Sequence, residues 1–278
     1  MNWYTTDDPE HYADQVLPLL TRRPVQNTIA LTALDALRAG SHFGPDKPLL
    51  AWYDDAGTVT GAVSMTPPYG VLLSELPPGS EVELVELLRE SGLAIPDVNG
   101  TPADVDRFIE QWQPASTELL MRHRLYELER LAPPADPPAG TARPADLAEF
   151  DLVMGWMTAF RAEVEPWSTS PHGSIFRRRI ELGLIWLWLD PAGTPVSMAG
   201  RNPNIAGMSR VGPVYTPPAA RRHGYAAAVT HACTRDAQEQ GVEHVILFTD
   251  VANPTPNGIY QQLGYRPLED RMILRFTG

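Results

Sequence analysis

The chain has 278 residues, 43% hydrophobic and 20% charged, enough apolar material to bury the core of one large or two ordinary domains. Its formal charge of −12, with basic clusters only at Arg177-Arg178-Arg179 and Arg221-Arg222, speaks against a nucleic-acid partner, and no apolar run approaches the ~18 residues that cross a bilayer. The lone Cys233 excludes an internal disulfide, and residues 1–8 carry neither the basic nor the apolar stretch of a secretory signal, so a cytoplasmic monomer or homodimer without a membrane partner is expected.

In chain order, apolar periodicity predicts helices over 10–20 and 27–38, then strands over 49–53, 59–65 and 70–76. A helix over 81–91, a helix over 103–112 and a strand over 117–128 complete the first half. Pro133-Pro134-Ala135-Asp136-Pro137-Pro138-Ala139-Gly140 suits neither a helix nor a central strand and reads as a semi-rigid linker, setting domains at 1–132 and 141–278. Beyond it come helices over 146–158 and 174–182 and strands over 184–189, 195–200 and 209–215. A long helix over 222–240, a strand over 245–249, a short helix and closing strands over 265–276 end the chain.

The two halves repeat. Trp52-Tyr53-Asp54-Asp55-Ala56-Gly57-Thr58 and Trp188-Leu189-Asp190-Pro191-Ala192-Gly193-Thr194 agree at five of seven positions, 136 residues apart, and both read as a strand, a tight turn and a returning strand. The expected class is therefore α/β with a mixed (α+β) sheet, built as a tandem duplication of one fold.

The stretch Val214-Tyr215-Thr216-Pro217-Pro218-Ala219-Ala220-Arg221-Arg222-His223-Gly224-Tyr225-Ala226-Ala227 reads as a strand turning into a helix whose first turn is bare. Prolines stop the strand, and small residues keep side chains off the helix entry, where backbone N–H groups have no intrahelical partner. Those groups, the helix dipole, Arg221, Arg222 and His223 converge on a site for a phosphate or diphosphate. Downstream, Asn257, Tyr260 and Gly264 recur at helical intervals after the apolar strand Val245-Ile246-Leu247-Phe248, with Gly264 ending the helix.

Arg221-x-x-Gly224-x-Ala226 resembles the (Gln/Arg)-x-x-Gly-x-(Gly/Ala) signature of the GNAT superfamily of acyl-CoA N-acyltransferases. The segment Phe248 to Tyr265 resembles that family's Asn-x-x-(Ala/Ser)-x-x-(Leu/Ile)-Tyr-x-x-(Leu/Ile)-Gly-(Phe/Tyr), with one visible departure in Gly258, which after Asn257 in a helix costs about 1 kcal/mol relative to alanine. The likeness covers about residues 141–278 and implies two tandem GNAT-like domains. Setting Pro77-Pro78 against Pro217-Pro218 puts Glu81, Glu83, Leu84 and Glu86 where the second half has Arg221, His223, Gly224 and Ala226, so the first copy reads as degenerate and unable to hold a diphosphate.

The resemblance implies acetyl-CoA as co-substrate, lying along Val214, Tyr215 and Thr216 and held at Arg221, Arg222, His223, Gly224, Tyr225, Ala226 and Ala227, with Asn253, Asn257 and Tyr260 completing its site. It implies direct attack by a primary amine, a small molecule or a peptide, with a backbone N–H near Val214 or Thr216 for the oxyanion and Tyr260 as acid for the leaving thiolate. Asn253 also reads as the cap of the short helix. Glu163 and Glu165, in the loop 161–167, are the carboxylates able to bind a cationic acceptor or take its proton, and Glu165 is the candidate base. His172 is a loop histidine with a suitable ordinary pKa. No His/Cys/Asp/Glu cluster has metal-ligand spacing, so no metal is expected. The reading of another class is a non-catalytic acyl-CoA-binding regulatory module that keeps the phosphate cradle without a productive base.

Overall fold

The computed structural model describes residues 2–167, 173–252 and 254–277. It divides into two compact units, Met1–Arg124 with Glu269–Gly278, and Leu125–Leu268, and the division falls within two long strands. The proline-rich stretch 133–140 lies inside the second unit by this division. Among the described residues no helix is long and apolar enough to cross a membrane.

The first unit runs β1 (Asn2–Thr6), α1 (Pro9–Leu20), α2 (Thr28–Arg38), β2 (Leu49–Asp55), β3 (Thr58–Met65), β4 (Val71–Glu75), α3 (Glu81–Glu90), β5 (Asp97–Gly100), α4 (Pro102–Trp112) and the start of β6 (Ser116–Leu128). Asp8 and Thr101 cap α1 and α4 with side chains that accept first-turn N–H groups, and a proline follows each cap where its missing N–H costs nothing. The sheet order is β1-β2-β3-β4-β5, then residues 269–277 of the last strand, β12 (Tyr265–Thr277), then β6. Leu84, Leu88, Val105 and Phe108 of α3 and α4 pack on Val63, Val71, Leu73, Val98 and Leu274 to form its core.

The second unit continues through the end of β6, then β7 (Thr141–Pro144), α5 (Phe150–Val164), α6 (Gly173–Glu181), β8 (Ile185–Leu189), β9 (Pro195–Arg201), β10 (Met208–Tyr215), α7 (Tyr225–Glu239), β11 (His244–Asp250), α8 (Pro254–Gln262) and the start of β12. Its sheet order from β11 outward is β11-β10-β9-β8-β7, the order of β5-β4-β3-β2-β1 in the first unit. In both, an antiparallel meander ends in one parallel pair, β4 with β5 and β10 with β11. The mixed sheet and the internal duplication are thus as the sequence predicts.

The details differ in four places. Strands β1, β5 and β7 are additional, and the closing strands are the single strand β12. The matched hairpins turn differently: Ala56 and Gly57 both take left-handed φ (52° and 88°), whereas after Pro191, whose ring fixes a negative φ, only Gly193 does (81°). Asp190 compensates by accepting the N–H groups of Ala192 and Thr194, both at 2.9 Å. Helix α7 begins at Tyr225, three residues later than predicted, because Arg222 and Gly224 hold left-handed φ of 66° and 77°. Finally, Glu81 is not the counterpart of Arg221: it is the first residue of α3, while Arg221 lies in the loop before α7. The left-handed glycines Gly79 (90°) and Gly224 (77°) are the matching points, and the first unit's loop is shorter.

Candidate active site

The site begins where two strands part. β10 pairs with β11 from Met208 to Val211 and no further, while on its other edge β9 pairs Arg201 with Val211 and, after a bulge at Gly212-Pro213, Ala199 and Met198 with Val214 and Tyr215. Beyond Val211 the β11-facing edge of β10 therefore has no strand partner among the described residues, which leaves room for an extended ligand. Helix α7 packs on one face of this sheet, with Val229, Cys233 and Ala237 on Val211, Val245 and Leu247. Helices α5 and α6 cover the other, with Val153, Met157, Phe176 and Ile180 on Ile185, Leu187, Met198 and Tyr215. The gap between β10 and β11 joins the two faces.

On the α7 face the chain passes through Arg221 to Gly224 into the helix. The first intrahelical bond runs from Ala228 N–H to Gly224 O at 3.1 Å, and among the described residues no acceptor takes the N–H groups of 222–227. These are the unsatisfied donors of a helix start, aligned with its positive dipole end. Gly224 has no side-chain cap to compete with a ligand. A Cβ there would meet Asp136 O at 3.4 Å and the Pro138 ring at 3.5 Å, so the proline-rich stretch lies beside the loop and a larger residue at 224 would press on it. His223 stacks on Tyr225 at 5.5 Å. Arg221 donates from Nε to Thr216 O at 2.9 Å and from Nη2 to Glu163 at 2.8 Å, which ties the end of α5 to the loop.

Residues 147–265 match the family model for the acetyltransferase (GNAT) family. This segment is a GNAT acetyltransferase domain. The whole chain is also similar to solved structures, though distantly in sequence. A Drosophila protein aligns over 99% of this chain and 98% of its own at 12% identity, with a TM-score of 0.71. A GCN5-related N-acetyltransferase from Sphaerobacter thermophilus aligns over 98% and 95% at 17% identity and a TM-score of 0.62. A tandem GNAT protein from the clavulanic acid biosynthesis pathway aligns over 99% and 98% at 13% identity and a TM-score of 0.56. Among curated proteins none matches the chain. The fold is that of tandem GNAT proteins.

Within the GNAT domain, Tyr260 on α8 lies against Tyr265, ring centroids 6.2 Å apart and edge-on, and burial pushes its phenol up to about 12. Asn257 is engaged structurally: it accepts from the Thr249 hydroxyl and from Tyr126 at 3.5 Å, and donates to Asp250 O at 3.4 Å. It thereby fastens α8 to the end of β11. Glu165 follows α5 with its N–H on Arg161 O at 2.7 Å, and burial raises its carboxyl above the ordinary range against the opposing pull of Arg161 and Arg210. Asn253 and His172 lie outside the described residues.

Two residues were not singled out for the site from sequence. Arg179, one of the basic cluster Arg177-Arg178-Arg179, turns inward: Nη1 donates to Gly212 O in the β10 bulge at 3.2 Å and Nη2 to Asn202 Oδ1. Its position three residues after buried Phe176 and one before buried Ile180 was the available signal. Arg210 alternates with Val211 and so belongs to the α5/α6 face, 5.8 Å from the ring centroid of Phe248.

Proposed function

We propose that the second unit transfers an acetyl or related acyl group from acyl-CoA to a primary amine by direct attack. The observation that carries this is the run of unengaged N–H groups at 222–227 beside the parting of β10 and β11. The N–H groups hold the diphosphate, with Arg222 and His223 nearby, and the β11-facing edge of β10 around Val214 and Tyr215, which no described strand pairs, holds the pantetheine amides. Acyl-CoA supplies the activated thioester. Glu165 takes the ammonium proton, the amine nitrogen bonds to the acyl carbon, the carbon–sulfur bond breaks to release CoA thiolate, and the surplus proton on the new amide nitrogen passes through solvent to that sulfur. Tyr260 serves the leaving sulfur by hydrogen bonding: a phenol at about 12 lies about 3.5 units above a thiol's ordinary value, so outright proton transfer would be uphill by about 5 kcal/mol.

The first unit is proposed to be degenerate. Its Gly79 N–H donates to Glu81 at 2.7 Å, Arg107 holds that carboxylate at 2.5 Å, and buried Arg271 donates to Leu73 O at 2.9 Å. The amide that would meet a diphosphate and the carbonyl beside the short β5 are thus satisfied internally. A cytoplasmic location fits the single, buried Cys233.

Two substitutions test the reading. Gly224→Val should weaken CoA binding about thirtyfold in calorimetry, because a β-branched residue disfavours left-handed φ by about 2 kcal/mol and binding must restore that conformation. Unchanged affinity would remove the loop from the cofactor site. Tyr260→Phe should lower kcat about 10- to 100-fold with CoA affinity intact, the value of one hydrogen bond to a charged sulfur. A wild-type kcat across the pH range removes Tyr260 from the chemistry. Tight CoA binding with no amine-dependent thiol release over a broad panel would instead assign a non-catalytic acyl-CoA-binding module.

A further inference from the structure

The two neighbouring phenols of the GNAT domain, Tyr260 and Tyr265, are held in different ways. Tyr265 is fully buried, and its hydroxyl shares a hydrogen bond of 2.6 Å with that of Thr234, which is fully buried on α7. The backbone beside it is pinned as well. The N–H groups of Glu129 and Ala132 donate to the carbonyls of Gly264 and Leu263 at 3.1 and 3.0 Å, and a Cβ at Gly264 would meet Arg130 O at 1.9 Å. With the chain fixed there, Thr234 sets the tilt of the Tyr265 ring. Tyr260 lies edge-on to that ring, 6.2 Å away with the planes 72° apart, and packs on the cluster that holds Tyr126, Leu263 and Tyr265. Among the described residues nothing hydrogen-bonds the Tyr260 hydroxyl, so packing alone decides where it points.

We infer that Thr234 and Tyr265 are positioning residues for Tyr260: the hydroxyl pair fixes the Tyr265 ring, and the contact between the rings aims the unengaged Tyr260 phenol at the leaving sulfur. The inference rests on the acyl-transfer reading and extends its machinery into the middle of α7. Aromatic pairs prefer a particular edge-to-face tilt, so a Tyr265 ring that turns carries Tyr260 with it. Misplacing a group at a reacting centre by about 1 Å can cost on the order of a hundredfold in rate, so a bond outside the site can matter to the chemistry. Helix α7, whose start is proposed to meet the diphosphate, thereby also sets the phenol at the thioester end of the same ligand.

The test uses the full chain with CoA itself and needs no acceptor. A phenol that hydrogen-bonds the sulfur stabilises the thiolate, so it strengthens ionisation of the bound thiol, which thiolate absorbance follows against pH. Y260F should weaken that ionisation about tenfold or more. T234V, which keeps the shape and removes the hydroxyl, should weaken it about three- to tenfold, the value of one oriented aromatic pair, and Y265F should do the same. T234S, which keeps the hydroxyl, should match wild type, and T234V should add nothing in a Y260F background. In Y265F the freed threonine hydroxyl can turn to a carbonyl one turn back in its own helix, so that comparison stands even if T234V fails to fold. Wild-type ionisation in folded T234V or in Y265F, beside a weakened Y260F, overturns the inference and leaves Tyr260 in its role. So does a T234V effect that persists in Y260F, or a T234S variant as impaired as T234V. Wild-type ionisation in Y260F, or a chain that binds no CoA, overturns the underlying reading and the inference together.

Discussion

A chain ended after Leu268 should lose the fold of its first unit while retaining every residue of 1–124. Residues 269–277 lie between β5 and β6 in that unit's sheet, with Met272 opposite Gly100, Ile273 opposite Asn99 and Leu274 opposite Val98. Removal strips β5 of one neighbour and exposes a core in which Leu274 is buried and Phe276 stacks on Phe108 and Trp112 at 6.5 and 5.7 Å. It also removes Arg271 from Leu73 O. Large-to-small changes at such positions each cost about 2–5 kcal/mol, so loss of Met272, Leu274 and Phe276 together matches the whole ~5–15 kcal/mol stability of a domain. Hydrogen exchange should show unprotected amides around Val98, Val105 and Phe108 in the truncated chain. Native protection there would show that the segment is dispensable. Leu274→Ala, the milder version, should lower stability by about 2–5 kcal/mol.

That dependence marks the limit of what the sequence discloses. Helices and meander strands are legible because their apolar residues repeat locally, and the α7 loop is legible because Gly224 and the alanines after it are a backbone requirement written in residue type. β5 is not: Asp97-Val98-Asn99-Gly100 holds one apolar side chain, and its burial comes from β4 and from a strand at the far end of the chain. β1 and β7 are edge strands with few buried residues, so alternation is faint. No periodicity shows that residues 269–277 serve the first unit, since pairing across such a distance in sequence is decided by shape and not by composition. In the candidate site, the motifs mark the loop before α7 and the helix α8. The surroundings of Arg179 and Glu165 stay hidden because one sits in a run of three arginines and the other in a loop, where burial follows from tertiary packing alone.

Glu165→Gln should reduce kcat/KM by about a hundredfold or more, the usual contribution of a positioned base, and remove the acid limb of the pH–rate profile. Burial raises this carboxyl, so in the wild-type protein that limb should lie above the ordinary carboxylate range, with activity falling as pH drops through it. The stability sign runs the other way. The folded state binds the Glu165 proton more tightly than the unfolded chain, so this group favours the fold at low pH and counts against it once pH passes the raised value. At neutral pH glutamine keeps the shape without the charge, and E165Q should melt no lower than wild type. Lost turnover in a protein of equal or higher melting temperature, with CoA affinity retained, is the signature of a base. Undiminished turnover, or an acid limb that persists in E165Q, would place the proton acceptor elsewhere.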